Sequence, residues 1–146
     1  MIKVTEREIF DILTGKISGA INRTILKAFA RAGIDITTEQ WSVLSCLWDQ
    51  DKIIQQVICD LTHKDKPSVT RLIDNLEKKN LVKRVPDPVD RRNNHIHLTG
   101  SGAALKQKTT EVMHGIVNHA LGGISSDELD RAKYVLQRIM HNLELY

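Results

Sequence analysis

The sequence predicts a mainly α-helical fold, a winged helix-turn-helix of about six helices plus a two- or three-stranded β-wing, with long helices at both chain ends. Three observations predict it. Placed on a helix at about 100° per residue, Lys66–Lys79 puts Val69, Leu72, Ile73 and Leu76 on one narrow face. Its opposite face carries Arg71, Asp74 and Lys78, flanked by Ser68, Thr70 and Asn75. Before it, Gln55–Thr62 is a short helical segment with Val57, Ile58 and Leu61 as its apolar set, and His63–Asp65 is a polar break. Two helices joined by a tight polar turn make a helix-turn-helix. After it, Leu81–Val85 and His95–Thr99 alternate as half-buried strands do, around the polar, Arg-containing loop Asp87–Asn94.

In chain order, Thr5–Ala32 reads as one long helix with an apolar stripe of Ile9, Ile12, Leu13, Ile17, Ala20, Ile21, Ile25, Ala28 and Phe29. Gly15 and Gly19 lie inside it, and Gly33 is placed to stop it. The stripe is longer than a small domain needs, so it packs either within the chain or on a second subunit. Thr37–Asp49 is the next helix. Thr37 with Gln40 fits a capping box, and Trp41, Leu44, Leu47 and Trp48 form its apolar face. Ile53 and Ile54 are candidates for a third strand. Pro67 suits a first helical turn, and Asn80 tolerates the left-handed conformation of a helix stop. Pro86-Asp87-Pro88 breaks the first wing strand. Thr99–Leu121 is a further helix, capped by Thr99 or Ser101. Its inward positions are Leu105, Val112, Met113, Ile116, Val117, Ala120 and Leu121, and Gly122-Gly123 ends it. Ser125 with Glu128 is a second capping box, opening a last helix to about Leu145.

Composition narrows the function. A chain of 146 residues, 41% hydrophobic, can bury one core. Aromatic residues are only 4%, too few for a platform that stacks single-stranded bases. Between Thr62 and Asn94 nine Lys/Arg face five Asp/Glu, a surplus of four where the whole chain carries +3. The positive charge is therefore concentrated around the helix-turn-helix and the hairpin, as an anionic partner requires. Cys46 and Cys59 sit in apolar helical settings and read as core thiols in a reducing compartment. With no signal sequence and no apolar run long enough to span a bilayer, a cytoplasmic protein without membrane contact is expected. His95 and His97 share a strand face, but two ligands are not a metal site. No nucleophile motif or phosphate loop is visible, so neither an enzyme nor a cofactor is expected.

The run PSVTRLIDNLEKKNLVKRVPDPVDRRNNHIHLTGSG resembles the MarR family of bacterial transcription regulators. There a recognition helix of the form P-x-V-T-R-x-x-D-x-L-E precedes a wing of the form D-P-x-D-R-R and a strand ending in L-T. The resemblance implies a single domain over 1–146, with a DNA-binding lobe at 37–99 and a helical dimerisation region at 1–36 and 100–146. It also implies a ligand-responsive repressor, a homodimer on pseudo-palindromic double-stranded DNA, with a small-molecule effector held between the two regions.

Within that frame Ser68, Thr70, Arg71 and Asn75 are the expected groove contacts. Arg71 can pair bidentately with guanine, or alternatively with Asp74 or a phosphate. Lys64, Lys66 and Pro67 lie at the start of the recognition helix, where free N–H groups and charge favour a phosphate. In the wing, the family pattern implies Arg92 in the minor groove, Arg91 as a phosphate or structural contact and Asp90 as a brace; Asn93 and Asn94 read as turn residues that can add backbone contacts. Two rivals stay open: a winged helix that binds an acidic protein, and a regulator sensing thiol oxidation or metal.

Overall fold

The computed structural model describes Thr5, Arg7, Glu8, Asp11 and residues 15–146. Its backbone divides into two compact units, residues 1–113 and 114–146.

In the first unit, helix α1 (Lys16–Arg31) buries Ile25 and Phe29, four residues apart on one face. One continuous helix from Thr5 is not what forms. Arg7, Glu8 and Asp11 are helical, Thr5 and Glu8 exchange capping hydrogen bonds, and Gly15, at φ −141° and ψ −63°, is non-helical and precedes α1. The helix is interrupted at the glycine, which gives up more chain freedom in a helix than any other residue, although the apolar spacing runs on past it. Gly19 remains helical. Of the N-terminal stripe, Ile9, Ile12 and Leu13 lie outside the described residues. Gly33 stops α1 at φ +66°, and the N–H of Ile34 closes the end on the Phe29 carbonyl at 2.8 Å.

Helix α2 (Thr38–Asp49) carries the expected Thr37–Gln40 capping box. Its buried face is Gln40, Val43, Leu44 and Leu47. Trp41 and Trp48 are half-buried at its sides. Strand β1 (Ile53–Ile54) leads directly into α3 (Gln55–Thr62), which stops on His63 in the left-handed region. Helix α4 (Lys66–Lys78) then buries Val69, Leu72, Ile73 and Leu76, the four positions its periodicity selects. Asn80, at φ +55°, ends the turn after it.

Strands β2 (Val82–Pro86) and β3 (Asn94–Leu98) form the wing. Pro86 is the last strand residue, paired with Asn94, so the strand runs one residue past the expected break. The sheet order is β1-β3-β2, all antiparallel, with Ile53 opposite Ile96. Helix α5 (Gly100–Ala120) begins at Thr99, whose hydroxyl accepts from the Gly102 N–H at 3.0 Å and donates to the Asn80 carbonyl at 2.6 Å. Gly102 is pressed against the chain: a Cβ there would stand 2.0 Å from the Leu81 carbonyl oxygen. The Trp48 indole donates to the Gly102 carbonyl at 3.0 Å. The buried residues of α5 are Gly102 and Thr109, whereas the expected inward positions from Leu105 onward are half-buried or exposed.

In the second unit, helix α6 (Ser126–Glu144) starts with the expected Ser125–Glu128 capping box and buries none of its residues. Tyr134, Val135, Leu136, Met140 and Leu143 are all at least half exposed. No described helix is long and apolar enough to cross a membrane.

Candidate nucleic-acid interface

Helix α4 is held on three sides. Asp65 caps it, its carboxylate accepting from the Ser68 N–H at 2.7 Å, and this bond holds the Asp65 carboxyl below its ordinary range. The hydroxyl of Thr70 donates to the Lys66 carbonyl at 2.8 Å and accepts from the Gln55 amide of α3 at 2.6 Å. From the wing, the Arg84 guanidinium reaches Asp74 at 2.6 Å and also bonds Glu77, and its backbone N–H donates to Glu77 at 2.9 Å. Arg84 is opposite Ile96 in the sheet and half-buried, so this ion-pair cluster lies between wing and helix.

The outward face is different. Arg71, Asn75, Lys66 and Pro67 are exposed, and Arg71 makes no ion pair or side-chain hydrogen bond among the described residues. The alternative partner Asp74 is taken by Arg84. Ser68 is half-buried near the helix start.

One expected phosphate contact is engaged elsewhere. Lys64 pairs with Glu39 of α2 at 3.5 Å. The free N–H groups expected at the start of α4 are reduced by the Asp65 carboxylate on Ser68, and Pro67 has none. An anion there meets a carboxylate, which leaves Lys66 as the cation that favours one. Lys79 is tied to Asp35 at 2.8 Å.

At the wing tip Arg91, Arg92 and Asn93 are exposed, the two arginines without ion pairs among the described residues. Asp90 braces the turn through the Arg92 backbone N–H at 3.1 Å and the Asn93 amide at 3.4 Å, not through a guanidinium. Asp87 accepts from the Val89 and Asp90 N–H groups at 2.7 and 2.9 Å. These bonds and His95 lower its pKa to about 2.

Sequence reading missed Gln55 and Arg84. Strand alternation puts Arg84 on the face of buried Val82, and that was the available signal. Gln55 is one hydrogen-bonding side chain among several, with no spacing that singles it out.

The two thiols are free; Cys59 is buried and Cys46 half-buried. Burial pushes both above the ordinary thiol range, with Asp49 adding to the effect at Cys46 and Asp60 at Cys59. Both should therefore react slowly with iodoacetamide at neutral pH, at least tenfold more slowly than in the denatured chain, as thiol counting against time will show. No group of three or more metal-ligating side chains occurs among the described residues.

Comparison with known proteins matches the MarR family profile to residues 36–93, from the start of α2 to the wing tip. The Staphylococcus aureus HTH-type transcriptional regulator MgrA is 26% identical over 108 residues, 73% of this chain and 71% of that protein. The solved S. aureus MepR–DNA complex superposes with a TM-score of 0.83 at 27% identity, covering 96% of this chain and 99% of that one. An E. coli MarR mutant complexed with operator DNA gives 0.83 at 23% identity, covering 92% and 95%. Over its helix-turn-helix and wing, residues 36–93, the chain is similar to the MarR family, and the fold around them is that of the MepR structure.

Proposed function

We propose that this protein is a sequence-specific, double-stranded DNA-binding transcriptional regulator that acts as a homodimer on a pseudo-palindromic operator. The observation that carries this is the contrast across α4: an inner face wholly buried, and an outer face whose Arg71 is exposed and uncommitted while its acidic neighbours are neutralised by Arg84. Arg71 and Asn75 would read base edges, Lys66 would hold a phosphate, and Ser68 and Thr70 would line the approach. Arg91 and Arg92 would follow the flanking backbone and minor groove, where a narrow A·T-rich groove attracts a guanidinium. Asp90 and Asn93 hold the turn that presents them. Lys64 and Pro67 shape the helix start and are assigned no base contact.

The exposed apolar side chains of α6, with Ile17 and Ile21 of α1, support a dimerisation region built from the two chain ends. Dimerisation would set two α4 helices about 34–36 Å apart, one turn of the duplex. A small-molecule effector between the dimerisation and DNA-binding regions would act by favouring a different spacing, a shift in population rather than a block of the surface. Repression follows where the operator overlaps a promoter.

Selection of bound duplexes from a random pool, at physiological ionic strength, tests this. One pseudo-palindrome should be enriched. Arg71→Ala should blur one position in each half-site, a loss of about 1–3 kcal/mol in discrimination. Arg92→Ala should weaken the flanking A·T preference and leave the half-sites intact. No enrichment by the wild type would overturn sequence-specific binding and favour an acidic protein partner.

A further inference from the structure

His95 lies on β3, with both ring nitrogens engaged. Nδ1 is 2.8 Å from the carbonyl oxygen of Lys52, in the turn before β1. Nε2 is 2.7 Å from a carboxylate oxygen of Asp87, at the root of the wing loop. A peptide carbonyl and an ionised carboxylate accept hydrogen bonds and donate none. Neutral imidazole has one N–H and can serve only one of these partners; its second nitrogen would set a lone pair against a lone pair. Imidazolium has two N–H groups and serves both. The closed arrangement therefore contains a charged ring.

We propose that His95, as an imidazolium, is a positioning residue for the wing, tying the wing loop to the turn before β1 and so fixing where Arg91 and Arg92 are presented. The tie passes through Asp87. Its other carboxylate oxygen holds the Val89 and Asp90 N–H groups, and Asp90 in turn holds the Arg92 N–H. The Asp87 N–H donates to the Asn93 carbonyl at 3.0 Å, closing the loop on itself. Lys52, the third member, is held at φ +63°, so the turn offering the carbonyl has a defined, left-handed shape. When the ring loses a proton, one of its two contacts is lost, and the wing loop is no longer fixed to the β1 turn. The link from wing geometry to duplex affinity rests on the function proposed above; the ring's two contacts do not.

The groups around the ring leave it as the one that titrates in the relevant range. Its cross-strand neighbours, Ile54 on β1 and Val85 on β2, are apolar. Asp51 and Lys52 belong to the adjoining turn, and Lys83 lies on β2 opposite His97. His97 is pulled below its ordinary value, first by burial, whereas the Lys52 carbonyl and then Asp87 hold His95 above its own. The sign follows. The His95 contribution is complete below the ordinary histidine range and is lost as pH rises through the raised value; the Asp87 contribution is lost as pH falls toward about 2. The tie is closed between these limits.

A pH titration of the histidine ring nitrogens by NMR, on the full chain without DNA, reads the tie directly. One histidine, missing from the H95Q spectrum, should titrate above about 6.5 with both nitrogens protonated at its lower end, and should move down in D87N. Titration at or below the ordinary value, or no response to D87N, would overturn the tie. Duplex affinity is then compared at pH 6 and pH 8, using the enriched pool and the unselected random pool for wild type, H95Q and H97Q. Wild type and H97Q should lose about three- to fivefold more affinity on going to pH 8 than H95Q, and at pH 8 H95Q should match the wild type. Equal pH dependence in wild type and H95Q would overturn the positioning role. Absence of duplex binding by every protein at both pH values would count against the DNA-binding function instead, and the NMR result alone would then decide the tie.

Discussion

Gly102→Ala should destabilise the protein by about 3 kcal/mol, the upper end of the usual cost of overpacking. For a chain of this size that is a fall of about 10 °C in melting midpoint. The added methyl would stand 2.0 Å from the Leu81 carbonyl oxygen and 3.3 Å from a Leu98 methyl carbon. Neither can give way cheaply. The Leu81 carbonyl also accepts from the Thr99 N–H at 3.1 Å, and Leu98 belongs to β3, so the strain passes into the junction of wing and α5. Gly115→Ala is the control, in the same helix. Nothing lies within 4 Å of a Cβ there, and the gain in helix propensity should raise stability by up to about 1 kcal/mol. Opposite signs for one substitution at two positions, read by calorimetry, establish that contact and not helix propensity governs Gly102. Equal effects would sink that account.

Arg84→Ala should lower duplex affinity about tenfold while costing only about 1 kcal/mol of stability, because the cluster is partly open to solvent. Without the guanidinium, Asp74 and Glu77 keep their negative charge on the recognition helix, beside the expected path of the phosphates. The wing also loses its side-chain tie to α4. Adding Asp74→Asn to Arg84→Ala should recover most of the affinity if charge dominates, and little if the tie dominates; the double-mutant cycle separates them. Unchanged affinity in Arg84→Ala would remove this cluster from any account of binding.

What the sequence made legible was local. The buried face of α4 follows from four positions at helical spacing, and both capping boxes follow from residues three apart. Asn80 and Gly33 stop their helices for conformational reasons readable in one residue. The family pattern from Pro67 to Gly102 supplied the frame, and the fold agrees with it. What was not legible depends on contacts across the fold. Lys64 and Glu39 are 25 positions apart, and Lys79 meets the Asp35 carbonyl 44 positions away. Neither pairing leaves a mark on local spacing. The break at Gly15 failed for another reason: apolar spacing continues past a glycine that the backbone does not keep helical. Asp65 was read only as part of a polar break, although a short acidic side chain before Pro67 is also a cap. That cap lowers the anion-binding capacity of the helix start on which Lys64 and Lys66 had been placed.

The order of the three strands has a consequence for self-association. A sheet edge offers unpaired N–H and carbonyl groups to any passing strand, and proteins crowded along a polymer meet one another often. Here one edge is β1, only two residues long and continued at once by a helix. The other is β2, which carries exposed Lys83 and ends in Pro86, a residue with no N–H to donate. A wing built this way can extend a basic two-stranded ribbon into solvent without becoming a template on which further copies stack.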